Sequence, residues 1–313
     1  MKRARLIYNP TSGREMIKRH LPEILEKLET AGYEASCHAT TGAGDATRAA
    51  RIAVERQYDV VIAAGGDGTI HEVVNGLAEQ EFRPRLGIIP AGTTNDFARA
   101  LHIPRDVASA VNIITNGELI PVDIGRINDR YFINIAGGGR ITELTYEVPS
   151  KLKTMLGQLA YYLKGMEMLP SIKASNLRIE YDGKLFEGEA MMFLVGLTNS
   201  IGGFEKLAPD ASINDGLFSL LILKKVNLAE FIRVVTLAIR GEHVNDPNVI
   251  YTKANHIKVH SDEKVQLNLD GEYGGLLPAE FANLYRHLEV FVPLADIRPN
   301  DRPLDWVSGK RYS

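Results

Sequence analysis

The apolar run Asp59-Val60-Val61-Ile62-Ala63-Ala64 passes directly into Gly65-Gly66-Asp67-Gly68-Thr69. That turn passes in its turn into the helical pattern Ile70-His71-Glu72-Val73-Val74-Asn75-Gly76-Leu77. A buried strand that ends in glycines and restarts as a helix is a place to hold an anion. Glycine lets the backbone come close to it, and the N–H groups of the first helical turn point toward it. The turn also carries a carboxylate, Asp67. A carboxylate beside bound polyphosphate is repelled unless a cation lies between them. Two readings of Asp67 therefore stand side by side. It faces Mg²⁺ on a nucleotide phosphate, through water because Mg²⁺ dehydrates reluctantly, or it caps the helix.

The chain around this turn alternates strand and helix signals. Residues 4–8 read as a strand and Asn9-Pro10-Thr11-Ser12-Gly13 as a turn. Ile17, Leu21, Ile24, Leu25 and Leu28 then fall at helical spacing, and Gly32 ends that helix. A strand at 34–39 follows, then the loop Gly42-Ala43-Gly44, with Asp45 placed to cap a helix from Ala46. Residues 86–89 form another strand, ended by Pro90. This alternation predicts a layered α/β domain with a largely parallel sheet. Ligands of such sheets bind beyond the carboxyl ends of the strands. Three turns in those positions, at 9–13, 65–69 and 91–96, can converge on one crevice.

Beyond Ile120 strands dominate, at 130–136, 176–181, 187–197, 216–223, 256–260, 265–269 and 288–292. Asp182-Gly183 marks a hairpin. Helical patterns interrupt only at 150–168 and 228–240. The reading is a second, β-rich domain of sandwich type. The expected division is 1–123 with 293–313 for the α/β domain and 124–292 for the sandwich; 313 residues suit about two domains.

Composition narrows the function classes. A formal net charge of −3 provides no overall basic field for nucleic acid. The single cysteine, Cys37, excludes an internal disulfide framework and fits a reducing compartment. The apolar stretch after the basic N-terminus stops at Asn9-Pro10, too short for a secretory signal. Runs such as residues 217–223 are strand length, too short to span a bilayer. The expected compartment is the cytosol. No G-x-x-x-x-G-K-[ST] loop, no G-x-S-x-G elbow and no zinc-like His/Cys spacing is present. Gly137-Gly138-Gly139 is either a second substrate turn or a structural bend.

Five motifs in order carry a further signal: Asn9-Pro10-Thr11-Ser12-Gly13, Gly65-Gly66-Asp67-Gly68-Thr69, Gly92-Thr93-Thr94-Asn95-Asp96-Phe97-Ala98, Pro209-Asp210-Ala211-Ser212-Ile213-Asn214-Asp215-Gly216 and Leu269-Asp270-Gly271-Glu272. In this order and spacing the chain resembles the lipid kinases with a diacylglycerol-kinase catalytic domain, above all their soluble bacterial branch. The resemblance covers nearly the whole chain. It implies ATP as phosphoryl donor, Mg²⁺, a diacylglycerol acceptor and phosphatidate as product. It also implies an N-terminal α/β domain like those of phosphofructokinases and NAD kinases, followed by a β-sandwich on the lipid side.

The family's nucleotide loops fall on Asn9, Pro10, Thr11, Ser12, Gly13, Thr40, Gly66, Asp67, Gly68, Thr69, Ile70, His71, Glu72 and Thr93. Its acidic network around the catalytic Mg²⁺ falls on Asp67, Asp96 and Asp123, and its general base on Glu272. A second, structural Mg²⁺ is implied at Asp215 with the carbonyls of Ser212 and Leu217. Arg14 and Lys164 stand either to neutralise phosphate or as solvated cations. Two positions depart from the family pattern: His71, where asparagine is usual, and Arg140, where a small or apolar residue is expected. A kinase for another lipid alcohol, such as a sphingoid base or a glycolipid, is the alternative; NAD kinase and a nucleotide-sensing regulator fit less well. The expected partners are ATP and a lipid at the inner membrane face, with a homodimer left open and no nucleic acid. The segment 149–170, with Lys151, Lys153 and Lys164 beside an apolar stripe, either touches the bilayer or packs on the β-domain core.

Overall fold

The structure is a computed structural model that describes residues 1–139, 174–199 and 206–293. The expected helix at 150–168, the membrane segment 149–170, Lys164, Arg140 and the tail from 294 lie outside the described residues. The chain divides into two compact units. One comprises Met1–Ile124, Ser212–Asp215 and the chain from Leu284 on; the other comprises Gly125–Ala211 and Gly216–Asn283. Relative to the sequence-based boundaries, residues 124, 212–215 and 284–292 group with the first unit.

The first unit is built on parallel strands β1 (Lys2–Tyr8), β2 (Tyr33–Ala39), β3 (Val60–Gly65) and β4 (Arg85–Pro90). β1 lies between β2 and β3, with Leu6 level with Cys37 on one side and Ile62 on the other. β4 follows β3, and the end of β15 (Ala279–Val292) adds a parallel strand through Val290 beside Leu86. Every residue of β3 is buried, as a central strand covered on both faces requires. The order β2-β1-β3-β4 means that the chain steps one way from β1 to β2 and back the other way to β3. With right-handed crossovers, that reversal puts successive helices on opposite faces and leaves a switch point between β1 and β3.

Helix α1 (Met16–Thr30) packs with α5 (Val107–Asn116), and α2 (Asp45–Glu55) packs with α3 (Asp67–Leu77); α4 is the short Asp96–Ala100. α1 ends as the sequence predicts: Gly32, at φ 87°, donates its N–H to Glu29 O at 2.9 Å. Gly76 is where α2 and α3 meet, for a Cβ there would lie 2.6 Å from both Ala50 Cβ and Thr47 O. One local expectation is corrected. Asp45 is not the cap of α2 but its first residue, after Gly44 at φ 76°. Its carboxylate instead turns back to Thr41.

The second unit is antiparallel. Its strand order is β14 (Glu272–Leu276), β13 (Gln266–Leu269), β7 (Ile135–Gly138), β9 (Lys184–Gly196), β8 (Ser175–Tyr181), β12 (His256–His260) and β15. β10 (Phe218–Lys224) pairs β9 and β11 (Val249–Ala254), and β6 (Arg130–Phe132) pairs β5 (Glu118–Ile127). The long β9 serves β8 with its first half, then β7 and β10 with its second. Asp182 and Gly183 both have positive φ, the two-residue hairpin that their identities predict. A phenylalanine cluster fills the core: Phe132 stacks on Phe218 at 5.7 Å, and Phe281 meets Phe132 and Phe193 edge-on. Helix α6 (Leu228–Arg240) opens with a capping box, in which Asn227 and Glu230 each bond the other's backbone N–H.

The predicted strand at 130–136 is two strands, because Asp270 breaks it. Its carboxylate accepts the N–H groups of Ile133, Asn134 and Ile135 at 2.9–3.0 Å. Strands β11 and β14 were not among the sequence expectations.

Candidate active site

At the switch point of the first unit the three glycine-bearing turns meet. Asn9 donates its N–H to Ala64 O at 3.0 Å, so the turn after β1 is fastened to the end of β3. Ala91 donates to Gly65 O at 2.7 Å, which fastens the turn after β4 to the same strand. A Cβ on Gly92 would lie 2.6 Å from Gly66 Cα, and one on Gly13 would lie 3.0 Å from Ala91 O. Only glycine allows the backbones this near, which is the physical reason for glycine at these turns.

Asp67 is tied into this junction. It is the first residue of α3, and the cap position is Gly66, with no side-chain cap. Its Oδ2 accepts the N–H of Asn95 at 2.8 Å. Asn95, 2% exposed, closes its own loop by accepting from Gly92 N and donating to Gly92 O, both at 2.8 Å. The helix-cap reading of Asp67 is thus replaced by a link between two glycine-bearing turns. Asp96 follows Asn95 in the first turn of α4, with Arg99 3.9 Å away. Arg99 and Arg105 also donate to the carbonyls of the 93–94 loop: Arg99 to Thr94 at 2.9 Å, Arg105 to Thr93 and Thr94. Asp123, on β5, is 2% exposed; its Oδ1 accepts the N–H of Arg286 at 2.7 Å, and its own N–H donates to Ile213 O. Arg286 has φ 48°, a left-handed backbone unusual for a side-chain-bearing residue.

Beside the junction lies a cavity of about 370 Å³. It is lined by Asn9, Pro10 and Thr11 from the first turn, Thr40 to Ala43 with Ala46 at the start of α2, and Gly68, Thr69 and Glu72 from α3. Asn9 Oδ1 holds the first turn by accepting from Thr11 N and Oγ1. Glu72 reaches across to α2, where its two carboxylate oxygens accept the N–H groups of Gly44 and Ala46 at 2.8 and 3.1 Å. It therefore caps α2 in place of Asp45, a favourable site for a negative charge. Asp45 takes the N–H and hydroxyl of Thr41, with His38 at 3.2 Å, and these bonds hold its carboxyl down to about 2.

The predicted nucleotide residues thus fall in different places. Asn9, Pro10, Thr11, Thr40, Gly68, Thr69 and Glu72 line the cavity. Gly13 and Gly66 shape the turn junction beside it, and Ser12 closes the first turn through its N–H to Asn9 O. Ile70 is fully buried and belongs to the core. His71 turns along α3, where Asn75 donates to its carbonyl at 2.9 Å and lies 3.3 Å from Nε2. Thr93 is exposed on the loop held by Arg105. Sequence reading missed Thr41, Asn95, Arg99, Arg105 and Arg286. Asn95 stood inside a motif already noted and Thr41 lies between Thr40 and the Gly42-Ala43-Gly44 loop, whereas the contact of Arg286 with Asp123 spans 163 positions and has no local signal.

In the second unit, Glu272 opens β14 and is exposed, opposite Leu269 across the Asp270-Gly271 turn. In the first unit, Asp215 is exposed and Asn214 buried, just before Gly216 at φ 78°. Among the described residues, no group of three or more His, Cys, Asp or Glu side chains could hold a metal ion. The acidic residues offer oxygen donors only. They suit a hard cation that takes one or two carboxylates and completes its shell with phosphate and water, which is how Mg²⁺ is usually bound.

The fold and site belong to a class of phosphotransferases. Residues 3–127 match the diacylglycerol kinase catalytic domain, and residues 143–292 match the YegS C-terminal NAD kinase beta sandwich-like domain. The chain is 70% identical to the diacylglycerol kinase of Bacillus subtilis over 94% of its length and 97% of that protein. It is 59% identical to the diacylglycerol kinase of Staphylococcus epidermidis over 93% of its length and 92% of that protein. A crystal structure of a diacylglycerol kinase from Bacillus anthracis superposes with a TM-score of 0.80 at 30% identity, covering 95% of this chain and 99% of that one. The chain belongs to the diacylglycerol kinase family.

Proposed function

We propose that the protein transfers the γ-phosphoryl group of ATP to the free hydroxyl of diacylglycerol, giving phosphatidate and ADP, at the cytosolic face of a membrane. The observation that carries this reading is the meeting of the three turns at the carboxyl ends of β1, β3 and β4, with Asp67 bonded to Asn95 beside the cavity. Backbone N–H groups and the hydroxyls of Thr11, Thr40 and Thr69 suit phosphate and ribose oxygens. Mg²⁺, when bound, would neutralise charge developing on the phosphates. Asp67, Asp96 and Asp123 are the residues we assign to it, and Asp215 with the carbonyls of Ser212 and Leu217 to a second, structural ion. Glu272 is assigned as general base, removing the proton of the acceptor hydroxyl as its oxygen attacks phosphorus.

The test is incubation with γ-labelled ATP, Mg²⁺ and a panel of lipids in mixed micelles. The panel holds diacylglycerol, a sphingoid base and a glycolipid. Label in phosphatidate supports the reading. Label only in another lipid assigns the acceptor elsewhere, and no lipid label in any arm overturns the activity.

A further inference from the structure

The turn that presents Glu272 is held more firmly than a hairpin needs. β13 and β14 are joined by Asp270 and Gly271, at φ 50° and 96°. An Asp-Gly pair with positive φ closes a two-residue hairpin without outside help. Here each residue of the turn has a further bond. The Asp270 carboxylate accepts three main-chain N–H groups: that of Ile133 on Oδ2 at 2.9 Å, and those of Asn134 and Ile135 on Oδ1 at 2.9 and 3.0 Å. The Asp270 N–H donates to Ile135 O at 2.8 Å. Gly271 donates its N–H to Asn268 Oδ1 at 2.9 Å.

The segment that receives Asp270 is itself fixed. Asn134 is buried; its side-chain oxygen accepts the Thr198 hydroxyl, and its carbonyl accepts the N–H of Leu197 at 2.9 Å. Ala136 and Gly137 then lie between β13 and β9, paired with Leu269 and Asn268 on one side and with Val195 and Leu194 on the other. A Cβ on Gly137 would fall 2.6 Å from Phe193 O, so β7 sits close against β9. Asp270 thus ties the head of the hairpin to a buried part of the sheet. Its bonds are those of a charged acceptor, about twice as strong as neutral ones. Glu272 follows two residues later, exposed. A general base has to meet its proton within hydrogen-bond reach, and a misplacement of about 1 Å can cost about 10²-fold in rate.

We infer that Asp270, with Asn268 beside it, is a positioning residue for phosphoryl transfer: the clamped turn holds Glu272 where it meets the acceptor hydroxyl. The inference rests on the assignment of Glu272 as general base. Neither Asp270 nor Asn268 takes the proton. Loosening the turn leaves Glu272 chemically intact but in reach for only part of the time. The loss therefore falls on kcat. Nucleotide binding is spared, because the cavity and the turns beside it belong to the first unit, whereas the clamp lies wholly in the second.

The test is a double-mutant cycle on the full chain, assayed with γ-labelled ATP and diacylglycerol in mixed micelles. Asp270→Asn keeps the size of the side chain, but its amide nitrogen cannot accept an N–H, so part of the clamp is lost. Expected is a fall in kcat of about tenfold or more, with KM for ATP within about twofold of wild type. Added to Glu272→Gln, the same substitution should cause no further fall, since the group it positions is already disabled. Circular dichroism and the thermal midpoint check the fold. Where Asp270→Asn does not fold, Asn268→Ala removes only the bond to Gly271 and repeats the cycle with the same expected pattern. Wild-type kcat in the clamp variants while Glu272→Gln is inactive overturns the inference and leaves the base in place. An equal fold-loss with and without Glu272→Gln also overturns it, because the clamp then serves the fold alone. Turnover near wild type in Glu272→Gln removes the base and the inference with it, so the two failures read differently.

Discussion

At the scale of single residues, Glu272 and Asp67 make different claims. Glu272 is exposed and opens a strand, so Glu272→Gln should fold normally while removing the basic oxygen. If it takes the acceptor proton, kcat should fall by about 10²- to 10⁴-fold with KM for ATP nearly unchanged. Turnover close to wild type would remove it from the chemistry. Asp67 is bonded to the N–H of Asn95, a contact that an amide oxygen can keep. Asp67→Asn should therefore preserve the turn junction and lose the charge. The expected result is a higher Mg²⁺ requirement and low activity with an unchanged melting temperature. A variant that melts well below wild type would show that the charge serves the fold. A separate metal assigned to Asp215 would stabilise the folded state by mass action, so wild type should melt higher in Mg²⁺ than in chelator, and Asp215→Asn should lose that difference. Identical wild-type melting in both would remove the structural ion.

At the scale of elements, the packing of α2 on α3 sets the cavity wall. Gly76→Ala places a Cβ within 2.6 Å of Ala50 and of the Thr47 carbonyl, so the helices must separate. A cost of about 1–3 kcal/mol is expected, read as a lower urea midpoint. α2 also carries Ala46, which lines the cavity beside the Glu72 cap, so KM for ATP should rise with it. A stable variant with unchanged KM would mean that the wall does not depend on this contact. The elements most legible in the sequence were those whose local signals agree. β3 with its glycine turn, α6 with its Asn227 and Glu230 box, and the Asp182-Gly183 hairpin each combine a hydrophobic pattern with its own punctuation. What failed was decided from a distance. Residues 133–134 read as strand because nothing nearby reveals that Asp270 takes their N–H groups. Asp45 reads as a cap because Glu72, 26 to 28 positions away, cannot be seen from the sequence to occupy that role. In the site, the turns and their glycines were legible, whereas the Asp67–Asn95 link and the Arg286 contact arise only when the strands are brought side by side.

At the scale of the whole molecule, each unit holds a histidine whose protonation burial disfavours. In the first, His287 Nε2 accepts the N–H of Glu79 at 2.8 Å, which a protonated nitrogen cannot do; burial and nearby Arg83 lower its pKa. In the second, His243 is 1% exposed, with Nε2 3.1 Å from Leu207 O, and burial lowers its pKa as well. A folded pKa below the ordinary value near 6.5 means that the unfolded chain binds protons that the folded chain refuses. Stability from these two groups is full above about pH 6.5 and falls as the pH drops below it, by at most about 1.4 kcal/mol per pH unit for each histidine. Asp45 acts in another window. Its lowered carboxyl, at about 2, contributes above the ordinary carboxylate value and is lost only as the pH falls toward 2. Acid loss between pH 6.5 and 5 is thus assigned to the histidines, and loss between about 4 and 2 includes Asp45. Urea unfolding at pH 7.5, 6.5, 5.5 and 5.0 reads the slope. His287→Gln keeps an acceptor for Glu79 N–H but cannot titrate, so its stability should depend less steeply on pH across that range. A slope equal to that of wild type would mean that protonation of His287 is not resisted by the fold.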